Sequence, residues 1–259
     1  MATVLESIVE GVREDLAERK SQTTLSALQD RIDALGPTRN ALETLRNNPF
    51  SVIAEVKRSS PSKGNLADIP EPDRLAAKYE AGNAAVISVL TERRRFSGSL
   101  ADLDQVRKAV DTAILRKDFM VDEYQFFEAR AHGADVVLLI AASLSNGQLQ
   151  EFSELSQELG LTVLLEVHDE DELERAFNVA APLIGINARN LKTLDIDLVA
   201  FDQLIPEIPS TVIAVAESGI STRDDVLRAK KSGARAILVG ETLVKSGNPS
   251  ATIQEFTTL

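Results

Sequence analysis

Eight short apolar runs, each followed by a stretch long enough for a helix, constrain this chain more than any other feature. They lie at 52–56, 85–90, 113–115, 136–141, 162–167, 183–186, 212–216 and 236–239. Their starts are roughly 20 to 34 residues apart, which leaves room for a loop and about three helical turns between neighbours. Strands apolar on both faces and separated by helices belong to a parallel sheet covered on both sides. Eight of them predict an α/β chain that closes as a (β/α)8 TIM barrel. An open doubly wound sheet is the alternative, but no G-x-G-x-x-G follows the first run.

The segments between the runs agree with that reading. Tyr124, Phe127 and Ala131 share one helical face. Asp169 with Glu172, and Ser221 with Asp224, have the spacing of capping boxes at helix starts. The junctions AGNAAVI (81–87), HGADVVL (132–138) and SGARAIL (232–238) each place a glycine where a helix ends, which predicts the left-handed position there. Residues 1–48 fall outside the repeat: 4–20 and 24–35 read as amphipathic helices, and Asn47-Asn48-Pro49 marks a boundary. The expected organisation is one barrel domain over 1–259, with an N-terminal helical extension at 1–48 and the barrel proper at 49–259.

Composition narrows what such a barrel could do. The formal charge is −12, so the surface on average repels nucleic acid and anionic membranes. The absence of cysteine excludes a disulfide scaffold, a cysteine zinc site and a thiol nucleophile together. The longest apolar run, 136–142, is too short to cross a bilayer, and Glu6, Glu10, Glu14 and Asp15 argue against a signal peptide. A soluble, cytoplasmic protein is expected, a monomer or weak homodimer without a nucleic-acid or membrane partner. His132 falls near a helix end and His168 just before a helix start, so neither points to a metal ligand. Neither H-E-x-x-H nor G-x-S-x-G occurs, and no metal or other cofactor is expected. Arg93-Arg94-Arg95 reads as a solvated loop whose charge could also steer an anionic substrate.

Charge recurs where the apolar strands end, at the face that carries the active site in barrels of this kind. Alternate strand residues point inward. By that parity Glu55 and Lys57 share a face, Lys117 follows Leu115, and Glu166 follows four apolar positions. Asn187 and Arg189 end the sixth strand, Glu217 and Ser218 the seventh. Any one of these is more simply a strand turning polar as it meets water. Together they bring three bases (Lys57, Lys117, Arg189) and three acids (Glu55, Glu166, Glu217) to one rim. Such a density is costly unless it is paired or meets a charged ligand, and it should shift pKa values. The loops after strands seven and eight, Ser218-Gly219 and Gly240-Glu241, fit a phosphate site, to which Ser60 and Lys57 could add a hydroxyl and a cation. Glu241 would have to turn away from the dianion.

These same residues carry a resemblance. AEVKRSSPSKG (54–64), VISVLTE with FSGS (86–99), ILRKDFMVDEYQ (114–125), LLEVHDEDEL (164–173), IGINARNLKTLDID (184–197), AESGIS (216–221) and VGETL (239–243) run in strand order. In them the sequence resembles indole-3-glycerol phosphate synthase, a carboxy-lyase of tryptophan biosynthesis, in its monofunctional form without a fused isomerase domain. The resemblance implies an anionic phosphorylated substrate, 1-(2-carboxyphenylamino)-1-deoxyribulose 5-phosphate, which loses carbon dioxide and water as the indole ring closes. It makes Lys117 the general acid at the carbonyl, and Glu166 the group that stabilises the cationic intermediate or acts in the later proton removal. Glu55 and Asn187 would orient the hydroxyl that leaves as water. Lys57 would meet the substrate carboxylate and is also a candidate acid for dehydration, so the order of roles between Lys57 and Lys117 stays open. Arg189 and Glu217 would hold the lysines and hydroxyls in place. Phosphate would sit against Ser60, Ser218, Gly219, Gly240 and Glu241, with Phe96 and Phe119 walling the aromatic ring. Arg95 stands where the family often has a second aromatic. Two rivals are a Schiff-base aldolase barrel, which also wants a strand-end lysine, and a catalytically inactive binder of phosphorylated anthranilate derivatives.

Overall fold

In the computed structural model, which describes residues 3–191 and 193–258, eight parallel strands close into a barrel. They are β1 (Ser51–Val56), β2 (Val86–Leu90), β3 (Ala113–Lys117), β4 (Val136–Ile140), β5 (Thr162–Val167), β6 (Leu183–Asn187), β7 (Ile213–Glu217) and β8 (Ala236–Val239). Each pairs with its sequence neighbours, and β1 closes the ring by pairing Ser51 with Ala236 of β8. Helices follow every strand, from Pro72–Ala81 after β1 to Pro249–Thr257 after β8. The right-handed strand–helix–strand crossover and the continuously apolar strands leave few other solutions. Three strands run beyond their apolar runs to end on Lys117, Asn187 and Glu217, so these side chains are held by the sheet itself.

The N-terminal segment forms α1 (Val4–Gln22), α2 (Leu25–Asp33) and α3 (Ala41–Asn47), the last not foreseen. Thr3 and Glu6 close a capping box on α1, which buries Ile8, Val12 and Leu16. Leu16, Leu28 of α2 and Tyr124 pack as a small separate cluster against the helix Tyr124–Ala131. Among the described residues, no helix is long and apolar enough to cross a membrane.

Three local expectations shift. The helix Arg223–Ser232 starts one residue late: Thr222, not Ser221, is the cap, boxed with Asp225, because the Asp225 carboxylate collects the Ser221 and Thr222 donors together. Asp169 does cap Glu172, but the Glu172 carboxylate reaches past it to the backbone N–H of His168. Gly133 and Gly233 adopt the left-handed conformation at their junctions, whereas at the first junction Asn83 does so in place of Gly82. Gly82 is needed for space instead, since a Cβ there would lie 2.8 Å from the Ser250 backbone.

One charged network lies outside the barrel lumen. Arg116 alternates with Lys117 and therefore points from β3 toward the helices, where it is fully buried. It bonds Asp118 (2.9 Å), Glu128 (2.9 Å), the Thr91 hydroxyl (3.1 Å) and the Gln125 carbonyl (3.0 Å). Arg19 of α1 adds a second cation to Glu128 at 2.7 Å. This network ties the barrel wall, its third helix and the N-terminal extension to one another.

Candidate active site

The C-terminal strand ends open into a cavity of about 650 Å3 lined by every candidate catalytic and substrate-binding residue read from the sequence. Glu55 and Lys57 enter from β1, Lys117 and Phe119 from β3, Glu166 from β5, Asn187 and Arg189 from β6. Glu217, Ser218 and Gly219 come from β7, Gly240 and Glu241 from β8, Ser60 and Phe96 from the first two loops. Val4, Leu5 and Ile8 of α1 also line it, so the extension is part of the cavity wall as well as a packed appendage.

At the centre, Lys117 Nζ lies 2.7 Å from Glu217 Oε2 and 3.3 Å from Glu166 Oε2. Glu166 Oε1 accepts a hydrogen bond from Asn187 Nδ2 at 2.9 Å. Lys57 Nζ approaches Glu55 Oε2 at 2.6 Å, and Ser88 of β2 donates to Glu55 Oε1 at 3.5 Å. These carboxylates are buried, which explains their electrostatics. Burial acts to lower the Lys117 pKa, but Glu217, Glu166 and Glu55 outweigh it and hold the ammonium protonated well above its ordinary range. Burial pushes Glu166 up, yet Lys117, His168 and Asn187 pull it well below the usual carboxylate range. For Glu217 burial prevails over the pull of Lys117, with Glu166 and Glu55 adding repulsion, and its pKa rises to about 7. The cluster thus contains a retained cation, a firmly ionised carboxylate and a carboxyl that can carry a proton near neutrality.

The flanks differ in character. Phe96 and Phe119 face each other with ring centroids 6.1 Å apart, a tilted pair bounding a flat slot. Phe96 is held from behind by buried Glu92, whose carboxylate accepts the backbone N–H groups of Arg94, Arg95 and Phe96. At the other end Ser218 and Gly219 both have positive φ, 67° and 79°. Gly240 precedes the short helix Glu241–Val244, the extra turn after the last strand that frames phosphate in many barrels. Glu241 does not stand free there: Lys63 and Lys245 bond its Oε1 at 2.8 and 2.9 Å. Ser60 lies beside this end on a two-stranded turn, Ser59–Ser60 against Gly64–Asn65. Of the arginine run, Arg94 is occupied by Glu14 and Asp15 of α1, a clamp holding the second loop to the extension.

A family model for indole-3-glycerol phosphate synthase matches residues 5–256. Indole-3-glycerol phosphate synthase 1 of Streptomyces coelicolor is 53% identical over 253 residues, covering 98% of this chain and 94% of the relative. The synthase of Nocardioides sp. is 56% identical over 255 residues, 98% of each chain. The chain belongs to the indole-3-glycerol phosphate synthase family. Among solved structures, 3-hexulose-6-phosphate synthase from Salmonella typhimurium superposes with a TM-score of 0.63 at 15% identity, covering 81% of this chain and 97% of that one. Tryptophan synthase subunit alpha from Legionella pneumophila gives 0.62 at 14%, over 88% and 97%. Both share the barrel fold.

In this family member, glycines inside the lumen make the charged cluster possible, and one of them, Gly185, carries no signal in the sequence. A Cβ on Gly185 of β6 would lie 2.0 Å from Glu217 Oε1, and one on Gly240 would lie 2.4 Å from Glu55 Oε2. Gly185→Ala should therefore displace Glu217 from Lys117 and lower kcat about 10²-fold, the cost of a displacement near 1 Å at a reacting centre. Steady-state kinetics alongside a melting curve check this; unchanged turnover in a folded variant would mean that the Glu217 position is immaterial. His168 also belongs to this cluster. It directly follows β5 and lies behind Glu166, 3.3 Å from it through Nε2 and 2.9 Å from Glu172 through Nδ1. Its strand parity with Glu166 was the available signal.

Proposed function

We propose that this chain catalyses the ring closure of 1-(2-carboxyphenylamino)-1-deoxyribulose 5-phosphate to indole-3-glycerol phosphate, with release of carbon dioxide and water. The observation that carries the reading is Lys117 held between Glu166 and Glu217 in a slot with an aromatic wall at one end and two glycine turns at the other. Phosphate binds at the Ser60, Ser218-Gly219 and Gly240-Glu241 end, with Lys57 toward the substrate carboxylate. The aromatic ring lies between Phe96 and Phe119. As the ring carbon bearing the carboxylate attacks the ketone, Lys117 gives its Nζ proton to the carbonyl oxygen. The new C–C bond leaves the ring and its nitrogen cationic, so positive charge passes from the ammonium to the substrate without leaving Glu166 and Glu217. That exchange makes a lysine with a raised pKa a workable acid. Carbon dioxide then departs, its bonding pair restoring the ring. Protonated hydroxyl leaves as water, oriented by Glu55 and Asn187, while a proton is lost from the adjacent carbon toward Glu166. Arg189 and Glu217 keep the lysines and hydroxyls in register. The dehydration proton comes from Lys57 or from Lys117 reprotonated, two routes that single-turnover kinetics of Lys57→Met separates.

Indole fluorescence on adding the carboxyphenylamino substrate tests the reading directly. Its absence, with borohydride trapping an adduct on Lys117, would favour an aldolase instead; binding without turnover would favour an inactive binder. We further propose that the protein works in the cytoplasm, as a monomer or weak homodimer, as one barrel domain (49–259) with its helical extension (1–48), on small anionic molecules and not on nucleic acid or membranes. It needs no metal or organic cofactor, because the reaction moves only protons, water and carbon dioxide. Exhaustive dialysis against EDTA should leave kcat unchanged, and restoration of lost activity by a divalent ion would overturn that statement.

A further inference from the structure

We propose that His168 is a positioning residue for this reaction: clamped by Glu172, it keeps Glu166 ionised and aimed when Lys117 turns neutral. The inference rests on the ring-closing reading of Glu166.

His168 directly follows β5 and shares the face of Glu166 two residues before it. Its ring is fixed from the outer side. Asp169 caps the helix Glu170–Asn178 and accepts the Glu172 N–H at 2.9 Å. Glu172 Oε2 then accepts the His168 backbone N–H at 2.8 Å and lies 2.9 Å from ring Nδ1. The helix start therefore sets Glu172, and Glu172 sets the imidazole. On the inner side Nε2 is buried without an aligned hydrogen bond among the described residues, and it stands 3.3 Å from Glu166 Oε1. A buried ring nitrogen beside a carboxylate is costly unless it carries a proton.

The groups facing His168 are the carboxylates Glu166 and Glu172. Those facing Glu166 are Lys117, His168 and neutral Asn187, with Glu217 and Glu55 repelling across Lys117. Burial lowers the His168 pKa, but the two carboxylates outweigh it and lift the value to about 10, so the ring is an imidazolium at neutral pH. When Lys117 delivers its proton, Glu166 loses its strongest cation. Among the described residues, His168 is then the remaining protein cation in contact with it. Asn187 and His168 both address Oε1, leaving Oε2 toward Lys117 and the substrate.

The test is kcat and kcat/KM against pH for the parent chain, His168→Asn and Glu172→Gln, with melting temperatures. His168→Asn removes the cation and should leave KM within about threefold while kcat falls roughly tenfold. Once Lys117 is neutral in the loaded enzyme, Glu166 without its second cation protonates more readily, so the acid limb of kcat should move up by about one pH unit. Glu172→Gln leaves the acid limb in place and lowers the His168 pKa, so activity should fall away on the alkaline side at a lower pH than in the parent. An unmoved acid limb in folded His168→Asn, or a kcat/KM loss carried by KM with kcat unchanged, would overturn the proposal. Should His168→Asn fail to fold, Glu172→Gln decides alone, and an unchanged alkaline limb overturns it. A parent chain without ring-closing turnover would remove the activity reading and this inference together; an active parent with unmoved limbs removes only the latter.

Discussion

Lys117→Met should turn over roughly 10²- to 10⁴-fold more slowly than the parent chain, the usual share of general acid catalysis. Methionine keeps most of the side chain's length and removes the proton, so the change isolates the chemical role. A reduced, non-reactive substrate analogue should still bind, because the Phe96–Phe119 slot and the glycine turns at residues 218–219 and 240 do not depend on the ammonium. Glu217, already near neutrality in its pKa, would take up a proton and relieve the unpaired charge left behind. A fall of less than about tenfold would transfer the acid role to Lys57. Stopped-flow fluorescence in a single turnover distinguishes slowed ring closure from slowed product release.

The largest expected effect on stability lies outside the cavity. Arg116→Met strands Asp118 and part of Glu128 in the interior, and breaking a buried ion pair from one side costs about 3–5 kcal/mol. Urea unfolding should show a markedly lower midpoint with little change in slope. Arg19→Ala, whose side chain is partly exposed, should cost far less. The pH dependence has a definite sign. Burial pushes Glu128 up, but Arg116 and Arg19 prevail and hold it below its ordinary 4.5. A carboxyl with a depressed folded-state pKa contributes stability above its unfolded value and loses it as pH falls through the folded one. The stability gap between the parent and Glu128→Gln should therefore be full at neutrality and shrink below about pH 4.5. A gap independent of pH would mean that Glu128 acts by packing alone.

The barrel could be read from the sequence because eight apolar runs demand cover on both faces, and two-residue periodicity then assigns each charge a side. That logic brings Glu55, Lys57, Lys117, Glu166, Asn187 and Glu217 to one lumen. It applied equally to Arg116, whose opposite parity demanded a buried anion, but Glu128 sits on a helix and no periodicity links the two. Gly185 was illegible for a similar reason: it is an ordinary strand residue until Glu217 is seen lying across it from β7. The cavity contacts of Val4, Leu5 and Ile8 depend on how α1 crosses the mouth, which amphipathic spacing leaves undetermined. The late start at Thr222 turned on one aspartate choosing among adjacent donors, a difference below the resolution of a spacing rule.

The lumen of this barrel, where other proteins interdigitate leucine and valine, holds four carboxylate and ammonium groups from β1, β3, β5 and β7. Such a layer is an evolutionary liability kept only by function, since apolar replacements of similar volume are often neutral or stabilising. Selection of variants for heat resistance alone would therefore drift toward sturdier, silent barrels, first losing the charges at Lys117, Glu166 and Glu217. Heat and turnover would have to be screened together for the lineage to keep both.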